Sequence, residues 1–181
     1  MVSPLFSSAL GAVLYFAQAN VPTAPSQALL DKLAMAETEQ QAFYIAEDVI
    51  DAWVDAGGPT CDILMERAID AHAAQDHELA RDMLDRVILI EPELAEAWYR
   101  RGALFYRDGK FDEAIKDFEE AIRYEPRHFE AWLGLAVIFE AIENRSAALE
   151  AYRRVIAIHP FSPYAIQAER RLAPLVDGRA L

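Results

Sequence analysis

The sequence repeats itself every 34 residues between residues 61 and 162. Prolines stand at Pro92, Pro126 and Pro160, and Trp98 and Trp132 keep the same interval. A chain with such a period builds one small unit several times, and each unit buries its apolar face only by stacking on its neighbours. The expected fold is therefore a linear stack of like units. The interval also relates Phe105 to Phe139, Ala114 to Ala148 and Phe118 to Tyr152.

Within each unit, the residue types predict two short helices that pack closely on each other. In the middle unit, Gly102 and Ala114 are small where two helices would meet, and Gly109 stands where the chain would turn. Asp76 and Asn144 are candidate N-caps for the second helix of the flanking units. The proline that closes each unit lacks an amide hydrogen and disfavours helix in the residue before it.

The three units 61–94, 95–128 and 129–162 resemble tetratricopeptide (TPR) repeats. The resemblance implies an all-α solenoid, an α-solenoid of antiparallel helix pairs with a concave inner surface. One departure is that Val87 and Val155 stand in the closing small position, where the family most often has alanine. The other small positions are filled by Ala68, Gly102 and Ala136 and by Ala80, Ala114 and Ala148.

The segments on either side of the three repeats are also expected to be helical. Residues 27–60 have the length of one repeat, but Trp53 stands where the family has a small residue and Glu37 where it has an aromatic one. We interpret this segment as a degenerate TPR-like helical hairpin or a helical cap. Residues 163–181 begin with Pro163, which suits the first position of a helix, and become more polar, as expected of a capping helix and tail.

The resemblance places a partner-binding surface on the concave face, which the first helix of each repeat lines. In this chain the centre of that lining is apolar and aromatic and its rim is polar, which suits a bound protein or peptide. Tyr and Arg are enriched among interface hot spots, so Tyr99 and Tyr106 are the first candidates. The alternative is that part of this face packs against the protein's own flanking helices. The predicted partner-binding residues are Met65, Ile69, Tyr99, Ala103, Tyr106, Arg107, Leu133 and Val137.

Some TPR proteins hold the C-terminal carboxylates of a chaperone with a clamp of Lys, Asn and Arg side chains. This sequence departs from that pattern. The resemblance therefore does not imply an adaptor for chaperone tails. The clamp positions hold Met65, Ile69, Arg100, Glu130 and Gly134.

Composition and the lack of catalytic motifs argue against several other classes of protein. The chain carries 17 Lys and Arg against 30 Asp and Glu, and this net charge of -13 repels nucleic acids and anionic lipids. Cys61 is the only cysteine, so neither an intramolecular disulfide nor a cysteine zinc site can form. The sequence contains no HExxH, GxxxxGK[ST], GxGxxG or GxSxG motif. We expect a protein that is not an enzyme and that needs no cofactor or metal; its oligomeric state is left open.

The N-terminal segment differs from everything that follows it. Residues 1–30 carry no charged side chain, and an apolar run from Leu5 to Ala17 leads into Ala17-Gln18-Ala19. This pattern resembles a secretory signal peptide in residues 1–19, followed by a linker in residues 20–26, although Lys and Arg are missing before the run. The run is shorter than the roughly 20 residues of a membrane span. The expectation is a small exported bacterial scaffold, located in the periplasm; the alternatives are a cytoplasmic adaptor or regulator, or a self-associating assembly subunit.

Overall fold

The computed structural model describes residues 25–179, and in this range the chain forms nine α-helices and no strand. Short 3-10 turns follow the second and the last helix, at Asp55–Gly57 and Asp177–Arg179. The predicted leader and most of the predicted linker lie outside the described residues. The helices are α1 (Pro25–Ala34), α2 (Glu39–Val54), α3 (Pro59–Ala73), α4 (His77–Ile90), α5 (Ala95–Arg107), α6 (Phe111–Tyr124), α7 (Phe129–Ala141), α8 (Arg145–Ile158) and α9 (Pro163–Val176).

Helices α3 to α8 form three hairpins that stack in chain order. The closest packing is within the pairs α3–α4, α5–α6 and α7–α8, and α4 packs on α5 as α6 packs on α7. Helix α9 packs on α8 and closes the stack. The predicted all-α solenoid of antiparallel helix pairs is confirmed. None of the helices between residues 25 and 179 is long and apolar enough to cross a membrane.

The turn inside each repeat has the same backbone conformation. Gln75, Gly109 and Glu143 are 34 residues apart, and all three have positive φ angles, of 62°, 74° and 61°. The predicted N-caps Asp76 and Asn144 each accept a hydrogen bond from the backbone N–H three residues later. Glycine adopts a positive φ without strain, whereas Gln and Glu do so at a cost.

Trp98 and Trp132 fix the two connections between successive repeats. The indole N–H of Trp98 donates to the carbonyl of Pro92 at 2.8 Å, and that of Trp132 donates to the carbonyl of Pro126 at 3.0 Å. The proline stops the preceding helix, and its carbonyl then accepts a side-chain donor from the next repeat. The repeated Pro and Trp therefore form one recurrent joint.

The ring of Phe118 explains why two glycines lie on the first helices of neighbouring repeats. A Cβ built at Gly102 would lie 2.9 Å from two atoms of this ring, and one built at Gly134 would lie 2.6 Å from a third. Phe118 is only 2% exposed and has no room to move. The small residue predicted at position 102 is thus required by a ring that is held between α5 and α7.

The α1–α2 hairpin does not lengthen the stack at its N-terminal end. Helix α1 packs on α8, and beyond its own hairpin α2 packs on α5. Leu30, Leu33 and Val49 are fully buried in one cluster with Tyr152 and Val155 of α8. The packing is that of a helical cap folded back over the second and third repeats, and α9 contributes Ala168 and Leu172 to the same cluster.

Candidate functional site

The concave face divides into a covered half and an open half. Met65 is fully buried, and Leu133 packs against the cluster that contains the α1–α2 hairpin. Four residues further along each first helix, Ile69, Ala103 and Val137 are partly buried and lie outside that cluster. We call the face around residues 65, 99 and 133 the covered half. The open half consists of Ile69, Ala103, Tyr106, Arg107 and Val137.

The residues at the C-terminal end of α2 pack onto the covered half. The indole of Trp53 stacks on the imidazole of His128, with ring centroids 4.2 Å apart and planes 13° apart. The same indole lies 5.4 Å from the ring of Phe129, while Tyr99 lies 5.0 Å from His128 on the α5 side. Next to Trp53, Val54 packs against the cluster that includes Met65. Helix α2 therefore occupies part of the concave face that a bound partner was expected to fill.

Beneath Trp53 lies a buried polar cluster that links α5 to α7. His128 and Glu96 are both fully buried, and the Nε2 of His128 lies 3.1 Å from the Oε2 of Glu96. The Nδ1 of His128 accepts the backbone N–H of Ala131, so Nε2 carries the hydrogen and donates it to Glu96. The Nε of Arg100 lies 2.6 Å from the Oε1 of Glu96, an ion pair whose angles fall outside those of a hydrogen bond. The negative charge of Glu96 is thus compensated at one oxygen by the N–H of His128 and at the other by Arg100, as a buried charge requires.

A second carboxylate, Glu130, enters the same cluster from α7. Burial raises the pKa of Glu130 to about 7, and the negative charge of Glu96 adds to the shift. Burial also raises the pKa of Tyr99, and the two glutamates contribute to that shift. Because Trp53 and Phe129 enclose His128, the cluster holds three helices together and does not present a reactive group at the surface.

A small cavity marks the part of the open half between α3 and α5. Ile69 and Ala103 line it together with His72, Tyr99 and Arg100. Its volume of about 120 Å³ suits one inserted side chain and is below the range of pockets for drug-sized ligands. The open half therefore offers a shallow apolar floor with cationic groups at its edge.

The structure corrects one predicted site residue, Met65, and shows different degrees of burial for the others. Met65 is fully buried in the core and cannot touch a partner in this conformation. Tyr99 and Leu133 are partly buried on the covered half. Tyr106, predicted as a first candidate together with Tyr99, is 39% exposed. Arg107 is also exposed, although its guanidinium pairs with Asp108 at 2.6 Å.

The period alone does not predict that Trp53, His128 and Glu96 come together in one cluster. His128 and Glu96 are 32 residues apart and meet only when two repeats stack. One signal was present, because Trp53 is a large residue where the family has a small one. A ring that does not fit a repeat has to be buried on another surface.

Other candidate chemistry in the described part of the chain has a structural explanation. Cys61 is 1% exposed, and burial together with the charges of Glu91 and Asp62 raises the pKa of its thiol. The thiolate, which is the reactive form, is therefore disfavoured. Within residues 25–179, no three His, Cys, Asp or Glu side chains converge to hold a metal ion.

Comparison with known proteins agrees with this geometry. The family model described as tetratricopeptide repeat matches residues 65–118 and 103–163. A TPR repeat-containing protein of Rhizobium etli is 30% identical over 179 residues, which cover 97% of this chain and 88% of that protein. The small glutamine-rich tetratricopeptide repeat-containing protein 2 of Saccharomyces cerevisiae is 33% identical over 88 residues, or 49% of this chain and 25% of that protein.

Two solved structures share the fold at low sequence identity. The first TPR of Spaghetti (RPAP3), bound to the HSP90 peptide SRMEEVD, has a TM-score of 0.59 at 18% identity, covering 64% of this chain and 94% of that one. The MamA protein has a TM-score of 0.58 at 20% identity, covering 82% of this chain and 79% of that one. TPR proteins are in general non-catalytic interaction modules, and the fold supports a protein–protein interaction module here. With three stacked helix pairs, their recurrent Pro–Trp joint and a family match across all three, the chain belongs to the tetratricopeptide repeat family.

Proposed function

We propose that this chain is a non-catalytic scaffold that holds a partner peptide or protein on the open half of its concave face. The observation that carries the proposal is the row Ile69, Ala103 and Val137. These three apolar residues occupy one matched position in successive repeats, and each stays partly exposed, whereas Met65 in the row beside it is fully buried. A row of this kind suits side chains that recur along a helical or extended segment.

Tyr106 is the residue of the open half from which we expect the largest contribution. Its ring is 39% exposed, lies 5.8 Å from that of Phe111, and is followed in the chain by Arg107. A tyrosine anchored on one face and exposed on the other loses little entropy on binding and buries a large area. The two residues stand at the edge of the row, where a partner's polar groups would lie.

Site-specific photo-crosslinking in the native cell tests the proposal. We expect a photoreactive residue at Ala103 to form discrete adducts, and we expect Tyr106→Ala to reduce them. The matched control places the same residue at Leu89, which is 83% exposed on α4 outside the concave face. Equal adducts from both positions, or adducts at 103 that do not respond to Tyr106→Ala, would rule out the open half as the binding site.

A chaperone C-terminal tail is not the partner that this face favours. At the clamp positions of the family the chain has Ile69 and Glu130, which supply no cation, and Met65, which is buried. A carboxylate brought next to Glu130 would meet a like charge. We expect no saturable binding of the peptide SRMEEVD in fluorescence anisotropy; micromolar binding would reverse this assignment.

We also propose that the scaffold works in the cell envelope, with the cytoplasm as the alternative location. The support for this is the leader-like sequence of residues 1–19. Mass spectrometry of the protein purified from its native cell tests the location. We expect a mature chain that begins after Ala19, and an intact N-terminus in the cytoplasmic fraction would contradict export.

A further inference from the structure

The first repeat exposes the face on which a preceding repeat would stack. In the second and third repeats the corresponding positions are buried against the previous helix: Ala97 and Leu104 on α4, and Ala131 and Ile138 on α6. The matching residues of the first repeat are Ile63 and Asp70. Ile63 is 54% exposed, and Asp70 is exposed as well. Among residues 25–179 no repeat precedes this face, because the α1–α2 hairpin packs on α5 and α8 instead.

A groove with an apolar floor runs along this open face between the end of α2 and α3. Its position is set by the 3-10 turn Asp55–Gly57, which joins the two helices and packs on α3. One carboxylate oxygen at its edge, the Oδ1 of Asp62, is enclosed and accepts no hydrogen bond from a described residue. We call it the end groove, lined by Val54, Ile63 and Ile69 and rimmed by Asp55, Asp62, Glu66 and Asp70.

The charge around the end groove is almost entirely negative. The charged residues that line the end groove, Asp55, Asp62, Glu66 and Asp70, are all acidic, and residues 55–70 contain a single cation, Arg67. None of these four carboxylates forms an ion pair with a described residue, whereas acids elsewhere, such as Asp85, Asp117 and Glu140, pair with arginines. The residues before the described range, 1–24, carry no charged side chain. Clustered like charges create a field that attracts a ligand of the opposite sign.

We propose that the end groove docks a cationic amphipathic segment of another protein, with its apolar side chains on Ile63 and its Lys or Arg side chains on the acidic rim. Charge complementarity selects this occupant. Nucleic acids and anionic membranes are repelled, and a second copy of this chain brings the same net charge of -13. The described residues offer no arrangement of three ligands for a metal ion. The end groove shares Ile69 with the open half of the concave face, but Ile63 and the acidic rim line the end groove alone. Variants at Ile63 and at the rim therefore test the end groove without changing Ala103, Tyr106 or Val137.

Binding of a fluorescent amphipathic peptide made of Leu and Lys tests the proposal in the whole chain. We expect saturable binding at low salt that weakens at physiological ionic strength, where charges are screened beyond about 8 Å. The combined variant Asp55→Asn, Asp62→Asn, Glu66→Gln and Asp70→Asn should weaken binding by about tenfold or more, and Ile63→Ser should also weaken it. Tyr106→Ala, on the concave face, should leave it unchanged.

A charge-matched variant separates the end groove from the general acidity of the chain. The combined changes Glu78→Gln, Asp112→Asn, Glu113→Gln and Glu119→Gln remove four exposed carboxylates elsewhere and should weaken binding by less than about twofold. Equal weakening by the two combined variants would show that only net charge matters and would overturn the proposal. The absence of peptide binding by the wild-type protein at low salt, or binding that is indifferent to Ile63→Ser, would overturn it as well.

Discussion

Trp53 and His128 lie face to face, with their ring centroids 4.2 Å apart, although 75 positions separate them in the chain. His128 is the N-cap of α7, the first helix of the third repeat, and Trp53 is near the end of α2. The stack therefore fixes the α1–α2 hairpin to the junction between the second and third repeats. It also decides which half of the concave face stays available to a partner.

Removing the ring of Trp53 should destabilise the protein and loosen α2. Trp53 is 5% exposed, so Trp53→Ala should lower the free energy of unfolding by about 3–5 kcal/mol in chemical denaturation. Trp53→Phe should cost less, because it keeps a ring on His128 and removes an indole N–H that has no described acceptor. The control Tyr44→Ala, at a residue of α2 that is 59% exposed, should change stability by less than about 0.5 kcal/mol. If Tyr44→Ala and Trp53→Ala lowered the free energy of unfolding equally, α2 would not pack through the face that carries Trp53.

Glu130 should make the stability depend on pH near neutrality. Its pKa of about 7 in the folded protein lies above the ordinary value of 4.5, so the folded state holds this proton more tightly than the unfolded state. The resulting stabilisation is fully present below the ordinary value and is lost as the pH rises through about 7. Relative to the wild type, Glu130→Gln should therefore gain stability between about pH 5 and about pH 8, by on the order of 1–3 kcal/mol. Urea denaturation at both pH values measures this gain.

The same comparison has an internal control in the exposed Glu119 of α6. Glu119→Gln should show a small and pH-independent difference from the wild type. A difference for Glu130→Gln that stays constant across the pH range would mean that burial does not raise the pKa of Glu130.

Gly134→Ala should destabilise the stack although alanine is the better helix former. The added Cβ would lie 2.6 Å from the Cε2 and 2.7 Å from the Cζ of Phe118, whose ring is held on its other side by Gly102. We expect a net loss of about 1–3 kcal/mol in thermal or chemical unfolding, after the gain of about 1 kcal/mol in helix propensity. Gly178→Ala, where an added Cβ meets nothing within 4 Å, is the control.

A double-mutant cycle makes this prediction specific to the ring. Phe118→Leu should cost less in the Gly134→Ala background than in the wild type, because the contact that strains the variant has been removed. Additive losses would show that the ring of Phe118 is not the reason for glycine at position 134.

Glycine at the two strained turns should stabilise the protein. Gln75 and Glu143 adopt the left-handed conformation that Gly109 adopts in the middle repeat. Gln75→Gly and Glu143→Gly should each raise the free energy of unfolding by on the order of 0.5–1 kcal/mol, since the cost of a side chain at positive φ exceeds the entropy that glycine loses. The reverse substitution, Gly109→Gln, should lower the free energy of unfolding by a similar amount. If the glycine variants destabilised the protein, or Gly109→Gln stabilised it, these turns would not be strained.

The 34-residue period determined the fold class, the helix pairs and most of their turns. Each of these features depends on residues close in sequence or on the contact between one repeat and the next. Proline stops a helix, Asp76 and Asn144 cap one, and Gly102 allows a close approach wherever the unit recurs. The concave face and its candidate residues followed from the resemblance to TPR repeats, which implies that the first helix of each repeat lines one inner surface.

Only the tertiary structure decided where the α1–α2 hairpin packs, and with it the accessible part of the concave face. A segment outside the period has no repeated neighbour to fix its register, so it packs where its apolar residues find the best complement. That complement is a surface formed by several repeats together: His128 and Glu96 pair across two of them, and Trp53 covers the pair. Such a surface exists only after the repeats have stacked, and for this reason no local pattern predicted that Met65 would be buried while Tyr106, a candidate on the same face, stayed exposed.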